Sequence, residues 1–98
     1  MTRRIVRFTE LFFEILDDQL PSERPGNGQP SVTDFLVFDL PTIRDRLAED
    51  TEGCTTSIPP GHNVRAYIGK GLLGSYFIAY VILRADDVVE VVDIEIEP

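Results

Sequence analysis

An uncharged run of eight residues, Tyr76–Leu83, constrains the fold of this chain more than any other segment. It is rich in aromatic and branched side chains, which pack well on the pleated surface of a sheet. This composition predicts a buried central strand. A glycine-containing turn is predicted before it, at residues 69–75, and an Ala-Asp-Asp turn after it, at residues 85–87.

The segments on either side of this run predict its neighbouring strands. Residues 63–68 are predicted to form one strand and residues 88–97 the last strand. In the second half of the last strand, Val and Ile at 92, 94 and 96 alternate with acidic residues at 93, 95 and 97. One face is therefore predicted to be buried and the other wet, a pattern typical of an antiparallel meander.

The N-terminal part predicts a strand followed by an amphipathic helix. Residues 4–8 favour a short strand. Thr9 can then cap a helix, in which apolar residues recur at three- and four-residue spacings as far as Leu20. Pro21 ends this helix, and the Pro- and Gly-rich residues 21–30 form a loop.

A second helical segment is predicted after this loop. The motif Ser31-Val32-Thr33-Asp34 resembles a capping box with Asp in place of Glu, and it favours a helix over a strand for residues 34–40. Pro41 is predicted to kink or restart that helix, because proline lacks an N–H donor and clashes with the preceding turn. Residues 51–62 are predicted to be a polar loop.

Together these segments predict an α+β fold. An N-terminal strand and two helical segments, the second kinked at Pro41, precede a three-stranded antiparallel meander. The helices are expected to pack on one face of the sheet, where their apolar stripes are shielded from water. A chain of 98 residues is sized for a single domain, residues 1–98.

The charge of the chain limits the partners that it can bind. The net charge is −8, with only nine Lys and Arg residues. Nucleic-acid binding draws much of its affinity from Lys and Arg that neutralise phosphates, so strong direct binding to DNA or RNA is not expected. Partners with basic surfaces are favoured instead. The first residues carry Arg3, Arg4 and Arg7, which would complement the acidic C-terminal segment if the two were neighbouring strands.

The remaining sequence features predict neither a cofactor nor a metal site. Gly69 to Gly74 fits G-x-G-x-x-G, but a dinucleotide site needs a helix after it, and Tyr76–Leu83 is predicted as a strand. His62 is the sole histidine and Cys54 the sole cysteine, each without an obvious activating neighbour. No disulfide can form within the chain, and the longest uncharged stretch, residues 71–83, is too short to span a membrane. A cytoplasmic protein without membrane contact is therefore expected.

Five phenylalanines are predicted to build the core, although some of them could instead line an exposed groove for a partner helix. They are Phe8, Phe12, Phe13, Phe35 and Phe38. The alternative depends on whether the helical segments bury all of their aromatic side chains.

The order of the elements and several short motifs resemble the RelE/ParE toxin superfamily over nearly the whole chain. The first strand leads into the first helix through Ile5-Val6-Arg7-Phe8-Thr9-Glu10-Leu11-Phe12. The meander begins with an arginine-containing strand, Val64-Arg65-Ala66-Tyr67, and continues with the Tyr-centred Tyr76-Phe77-Ile78-Ala79-Tyr80-Val81. The resemblance implies one RelE/ParE-like domain and a toxin-like component of a bacterial toxin–antitoxin system.

Members of this superfamily either cleave messenger RNA on the ribosome or inhibit DNA gyrase, and a cognate antitoxin silences them. The resemblance therefore implies an antitoxin partner and a gyrase or ribosome target. It makes Arg65 and Tyr80 candidate catalytic residues. The candidate target-binding residues that it implies are Arg65, Lys70, Tyr76 and Arg84.

Two departures from the family pattern argue against RNA cleavage. Phe77 stands where RNA-cleaving members often carry arginine, and the last strand ends in acidic residues that repel phosphate. Cleavage needs a stabilised oxyanion and a proton shuttle. Binding and inhibition of a target is therefore the preferred prediction. The alternatives are a ribosome-dependent endoribonuclease that uses Arg65, Lys70, Tyr80 and Arg84, and a non-toxic acidic protein-binding module.

Overall fold

The computed structural model describes residues 3–23, 26, 30–71 and 76–97, which form a sheet packed against helices. The strands are β1 (Ile5–Phe8), β2 (Thr56–Ser57), β3 (Val64–Lys70), β4 (Tyr76–Leu83) and β5 (Val88–Ile96). The helices are α1 (Glu10–Gln19), α2 (Val32–Asp34) and α3 (Leu40–Cys54), and a π-helical segment, Phe35–Asp39, joins α2 to α3. The predicted α+β class is confirmed.

The strands lie in the order β1-β5-β4-β3-β2. Strands β3, β4 and β5 form the predicted antiparallel meander. The sheet as a whole is mixed, because β1 runs parallel to β5 at its edge. The prediction that residues 51–62 are a loop is wrong in part: α3 continues to Cys54, and β2 pairs with β3 at the opposite edge.

Helix α1 begins and ends where its capping residues predict. The Thr9 hydroxyl accepts a hydrogen bond from the Phe12 N–H, which satisfies one of the free donors of the first turn. At the other end, the Gln19 side chain continues the ladder of β5 where β1 has ended. Its amide donates to the Ile94 carbonyl, and its Oε1 accepts from the Ile96 N–H at 2.7 Å. The edge of β5 is therefore covered by a side chain.

The second helical segment contains a wider turn at the position where the sequence predicts a kink. Ser31 and Asp34 form the predicted capping box. The helix then widens into the π-helical segment, in which the Leu40 N–H reaches the Phe35 carbonyl five residues back. Pro41 follows at the start of α3. Because proline lacks an N–H and clashes with the carbonyl four residues before it, the wider turn accommodates the ring without ending the helix.

Side chains from both layers meet in one hydrophobic core. The helices contribute Phe12, Leu16, Phe35, Ile43 and Leu47, each at most 2% exposed. The sheet contributes alternate residues of its central strands, which are Tyr67, Phe77, Ala79, Val81, Val89, Val91 and Ile94. The core prediction is confirmed for Phe12 and Phe35, but it is wrong for Phe13 and Phe38, which are 38% and 48% exposed.

A bulge in β5 changes which residues of this strand are buried. Tyr80 pairs with Asp93, and the next residue, Val81, pairs with Val91, so that Val92 is an extra residue. Val91 and Ile94 are both buried. Val92 and Asp93 therefore lie together on the other side of the strand, because side chains alternate on either side of the bulge. The prediction that Val92 belongs to the buried face is wrong for this reason.

Candidate functional site

The face of the sheet opposite the helices carries the candidate site, and we call it the open face. It consists of the residues that alternate with the core positions along each strand. Across the central strands, Glu95 lies beside Ile78 and Ile68, and Asp93 lies beside Tyr80 and Ala66. No described helix packs on these side chains, because the helices contribute to the core on the other side.

The apolar part of the open face follows β3 and β4, and we call it the apolar strip. It is formed by Val64, Ile68, Tyr76, Ile78, Tyr80 and Ile82. Ile68 is 67% exposed and Tyr76 56% exposed, whereas Phe77 on the covered side of β4 is only 3% exposed. Val64 is also exposed, and Ile78, Tyr80 and Ile82 are half-buried. A contiguous apolar row with several exposed members is typical of an interaction site.

An acidic row lies beside the apolar strip, along β5. Glu90 opens this row and forms an ion pair with Arg84. It also lies beside Arg7 of β1 in the strand register. Asp93, Glu95 and Glu97 continue it, and within the described residues none of these three forms an ion pair with an Arg or Lys. The uncompensated negative charge is thus concentrated at one end of the open face.

Arg65 lies on the opposite, helix-covered side of the sheet. Its Nε donates to the Thr55 hydroxyl at 2.6 Å, and its terminal nitrogens reach the carbonyls of Glu52, Thr55 and His62 at 3.3–3.4 Å. A cation at these carbonyls satisfies free acceptors at the C-terminal end of α3 and opposes the helix dipole. The described contacts therefore give Arg65 a structural role at a helix terminus.

The other predicted site residues are spread along the open face. Lys70 lies opposite Tyr76, with its Nζ 5.6 Å from the centre of the Tyr76 ring. Arg84 follows the far end of β4. These two ends of β4 are about 26 Å apart at the usual rise of a strand. Tyr80 lies between them, but Arg65 is on the reverse side. The structure therefore does not bring the four residues of the alternative nuclease site together, which are Arg65, Lys70, Tyr80 and Arg84.

Tyr80 is poorly suited to accept a proton near neutral pH. Partial desolvation raises its pKa above the usual value, and Glu95, which shares a hydrogen bond with it, raises the pKa further. A phenol with a raised pKa holds its proton more firmly. Asp93 next to it adds negative charge instead of a cation that could stabilise a phenolate.

The remaining polar candidates have ordinary structural surroundings. His62 is exposed, and its carbonyl accepts a hydrogen bond from Arg65. The pKa of the Cys54 thiol is raised, mainly by burial and then by Asp50, which lowers its reactivity. Gly69 belongs to β3, where an added Cβ would lie 2.7 Å from the Phe77 ring. Residues 72–74 of the glycine motif lie outside the described residues.

The N-terminal arginines are paired with α3 rather than with the acidic strand. Arg3 contacts Glu49 at 3.1 Å, and Arg4 contacts Glu52 at 2.7 Å. The pKa of Glu52 is lowered, chiefly by its hydrogen bond with Arg4. Of the three arginines, Arg7 alone lies beside the last strand, opposite Glu90. The acidic row therefore receives little compensation from the N-terminus.

A smaller apolar patch lies on the π-helical segment. Leu36, Val37 and Phe38 are 37%, 57% and 48% exposed. Beside Phe38, a pocket of about 180 Å³ reaches Tyr67 and Phe77. A π-helical turn often marks a functional position, but this patch is short and lacks a charged border comparable to the acidic row.

Within the described ranges, no helix is long and apolar enough to cross a membrane. The same residues contain no group of three or more His, Cys, Asp or Glu side chains that could hold a metal ion.

Comparisons with known proteins give little further guidance. The chain is 26% identical over 72 residues to nuclear cap-binding protein subunit 1 of Caenorhabditis briggsae. The aligned part covers 72% of this chain but only 9% of that protein. No family model and no solved structure matches the chain. The resemblance to the RelE/ParE superfamily therefore stays a prediction from the sequence.

The apolar strip was the main feature that the sequence reasoning missed. Its signal is present in β4, where every residue is uncharged and both faces are apolar. Such a run predicts a strand that is buried on both sides. Among the residues that the structure describes, helices cover only one side of β4, so the second apolar side is left for water or for a partner.

Proposed function

We propose that this protein acts by binding another protein through the open face of its sheet. The observation that carries this proposal is the apolar strip, which places Ile68 and Tyr76 in water beside a row of carboxylates. Apolar area that is removed from water contributes roughly 25 cal/mol per Å². A partner that covers the strip would gain this energy without any rearrangement of the core.

Within this function, we propose a toxin-like component of a bacterial toxin–antitoxin system that inhibits a cytoplasmic target by binding it. The order of the elements supports it: a strand and two helical segments precede a meander, as in the RelE/ParE superfamily that the sequence resembles. A cognate antitoxin and a gyrase or ribosome target are part of the same proposal.

The position of the basic residues favours binding over RNA cleavage. Arg65 donates its hydrogen bonds to the end of α3, and Lys70 and Arg84 lie at opposite ends of β4. RNA cleavage needs donors or cations placed close to the phosphate on which negative charge develops. The acidic row would also repel the RNA backbone.

A non-toxic protein-binding module is the second candidate. The acidic row supports it, since it offers the same binding surface whether or not the bound protein is inhibited. Both candidates bind a protein through the open face. The toxin-like protein would arrest growth, whereas the non-toxic module would not.

Induced expression in bacteria tests the proposal. We expect growth arrest, which Ile68→Glu relieves by placing a charge in the apolar strip. Val37→Glu is the matched control, because Val37 is 57% exposed on the π-helical segment, away from the open face. Both variants must be soluble and folded by circular dichroism. Arrest that persists in Ile68→Glu would contradict binding through the open face.

Two further measurements separate the candidates. Mapped transcript ends should remain intact during arrest. Tyr80→Phe keeps the aromatic ring in the apolar strip and removes only the hydroxyl, so it should still arrest growth if no proton transfer is involved. New transcript ends that vanish in Tyr80→Phe would favour the nuclease. Normal growth of cells that contain the soluble parent protein would contradict the toxin proposal and leave the protein-binding module.

A further inference from the structure

The apolar and acidic side chains of the open face indicate the chemical class of the partner that it binds. We infer that the open face binds a cationic amphipathic helix, whose apolar side covers the apolar strip and whose Lys or Arg side chains pair with Asp93, Glu95 and Glu97. This inference rests on the proposed function, since it names the partner of the same surface.

Shape favours a helix over an extended strand. A strand adds to the edge of a sheet through its backbone, whereas the exposed groups of the open face are side chains. Helices already pack on the other side of this sheet. The eight residues of β4 extend for about 26 Å, which is close to the ~27 Å length of an 18-residue helix.

The spacing of the carboxylates fits one flank of such a helix. Asp93 and Glu95 of β5 and Glu97, the residue that follows this strand, recur at every second position. They are about 6.7 Å apart in an extended strand. Side chains four residues apart on a helix advance by about 6.0 Å. A helix aligned with β5 can therefore place one Lys or Arg opposite each of the three carboxylates.

The surrounding charges fix the side on which the cations lie. Lys70 is on β3, at the opposite border of the apolar strip, beside Tyr76. It would repel cations on that flank. Glu90 is already paired with Arg84, so it offers less attraction. The cations of the partner are therefore directed to the C-terminal end of β5, where Glu95 lies in the strand and Glu97 follows it.

The same charges disfavour other occupants. Nucleic acid and anionic membrane surfaces present phosphates, which the acidic row repels. A second copy of the chain carries the same net charge of −8, so two copies repel each other. A basic protein segment both covers the apolar strip and neutralises the row.

Two synthetic peptides of about 18 residues test the inference. One is a helical peptide of Leu and Lys with a single apolar face, and the other has Glu in place of every Lys. Each is titrated into the isotope-labelled full chain by NMR. We expect the Lys peptide to shift amide signals of β4 and β5, with weaker binding at higher salt. The Glu peptide should leave these signals unchanged.

Two double variants with the same change in net charge distinguish binding at the acidic row from the general attraction between an acidic protein and a basic peptide. Glu95→Lys with Glu97→Lys should weaken the Lys peptide about tenfold or more, as should Ile68→Glu. Asp17→Lys with Asp18→Lys makes the same change in net charge on the exposed side of α1 and should change affinity by less than about threefold. Equal loss in both double variants, or shifts centred on α1 or the π-helical segment, would overturn the inference.

The remaining outcomes separate this inference from the proposed function. If the Glu peptide binds the open face as tightly, the face binds proteins but the cationic partner is wrong. If neither peptide shifts the open face while Ile68→Glu still relieves growth arrest, the proposed function stands and the cationic helix is wrong. If Ile68→Glu also leaves the arrest unchanged, both fail. A stable dimer in sedimentation, with the strip protected, would overturn the inference in favour of a second copy.

Discussion

The two faces of the same sheet differ in burial: helices cover one face, and the other face exposes apolar side chains. On the covered face, Phe77 packs against Phe35 and Tyr67, with ring centres 5.5 and 6.0 Å apart. On the open face, Ile68 and Tyr76 remain in water although the same strands carry them. Residue type alone therefore does not assign a role, since an arginine stabilises the covered face and isoleucines form the candidate binding surface.

The largest contrast is expected when one large side chain is removed from each face. Phe77→Ala should lower the free energy of unfolding by about 3–5 kcal/mol, because it leaves a cavity between two aromatic rings. Ile68→Ala should cost about 1 kcal/mol or less, since its side chain is mostly in water. Urea denaturation of the two variants measures this difference. Equal losses would contradict the assignment of the faces.

A methyl group added to the covered face should have a smaller effect. Gly69→Ala places a Cβ 2.7 Å from the Phe77 ring and 2.9 Å from the Tyr67 ring. Both rings are buried, so we expect a loss of about 1–3 kcal/mol. Gly61→Ala is the control, because its added Cβ would meet no atom closer than 4.0 Å. A stable Gly69→Ala protein would show that the rings can move aside.

Substitution of Arg65 distinguishes its structural role at the end of α3 from the target-binding role that the family resemblance implies. Arg65→Ala should lower stability by about 1–2 kcal/mol, because carbonyls at the end of α3 lose their donors. Arg84→Ala breaks an exposed ion pair with Glu90 and should cost less than about 1 kcal/mol. Thermal denaturation compares the two variants. Unchanged stability of Arg65→Ala together with lost activity would restore Arg65 to the target-binding site.

The smallest expected effect depends on pH and lies at the edge where β1 meets α3. Arg4 lowers the pKa of Glu52 in the folded protein. A lowered folded-state pKa gives stability that is present above the unfolded pKa, about 4.3, and lost as the pH falls through the folded value. Glu52→Gln should therefore cost about 0.5 kcal/mol or less near neutral pH, because the pair is exposed.

Denaturation at several pH values checks this prediction. The difference between parent and Glu52→Gln should disappear in acid. A difference that grows as the pH falls would contradict the sign of the pKa change.

Much of the fold could be predicted from local signals. Thr9 and the Ser31–Asp34 capping box mark helix starts through hydrogen bonds that span only three residues. β4 occupies the predicted residues 76–83, because its uncharged, β-branched composition is a strong strand signal. These features depend on near neighbours in the sequence, so the sequence carries them directly.

The errors arose where distant parts of the chain decide the outcome. The bulge that takes Val92 out of the buried face is defined by pairing between β4 and β5. The direction of β1 was not predicted at all, because its parallel pairing with β5 joins residues more than eighty positions apart, as in Ile5 and Val88. The site role of Arg65 stays a prediction. The side of β3 on which Arg65 lies is also decided by strand pairing, because a one-residue change in register would reverse it.

Cysteine footprinting tests most directly whether the open face is where a partner binds. Ile68→Cys and Val37→Cys place thiols at exposed positions of the open face and of the π-helical segment, while the native Cys54 thiol is half-buried and its pKa is raised. Labelling with a thiol reagent is compared between the purified protein and growth-arrested cells. We predict that position 68 is protected in cells and that position 37 is not. Protection of position 37 with position 68 still freely labelled would contradict the account.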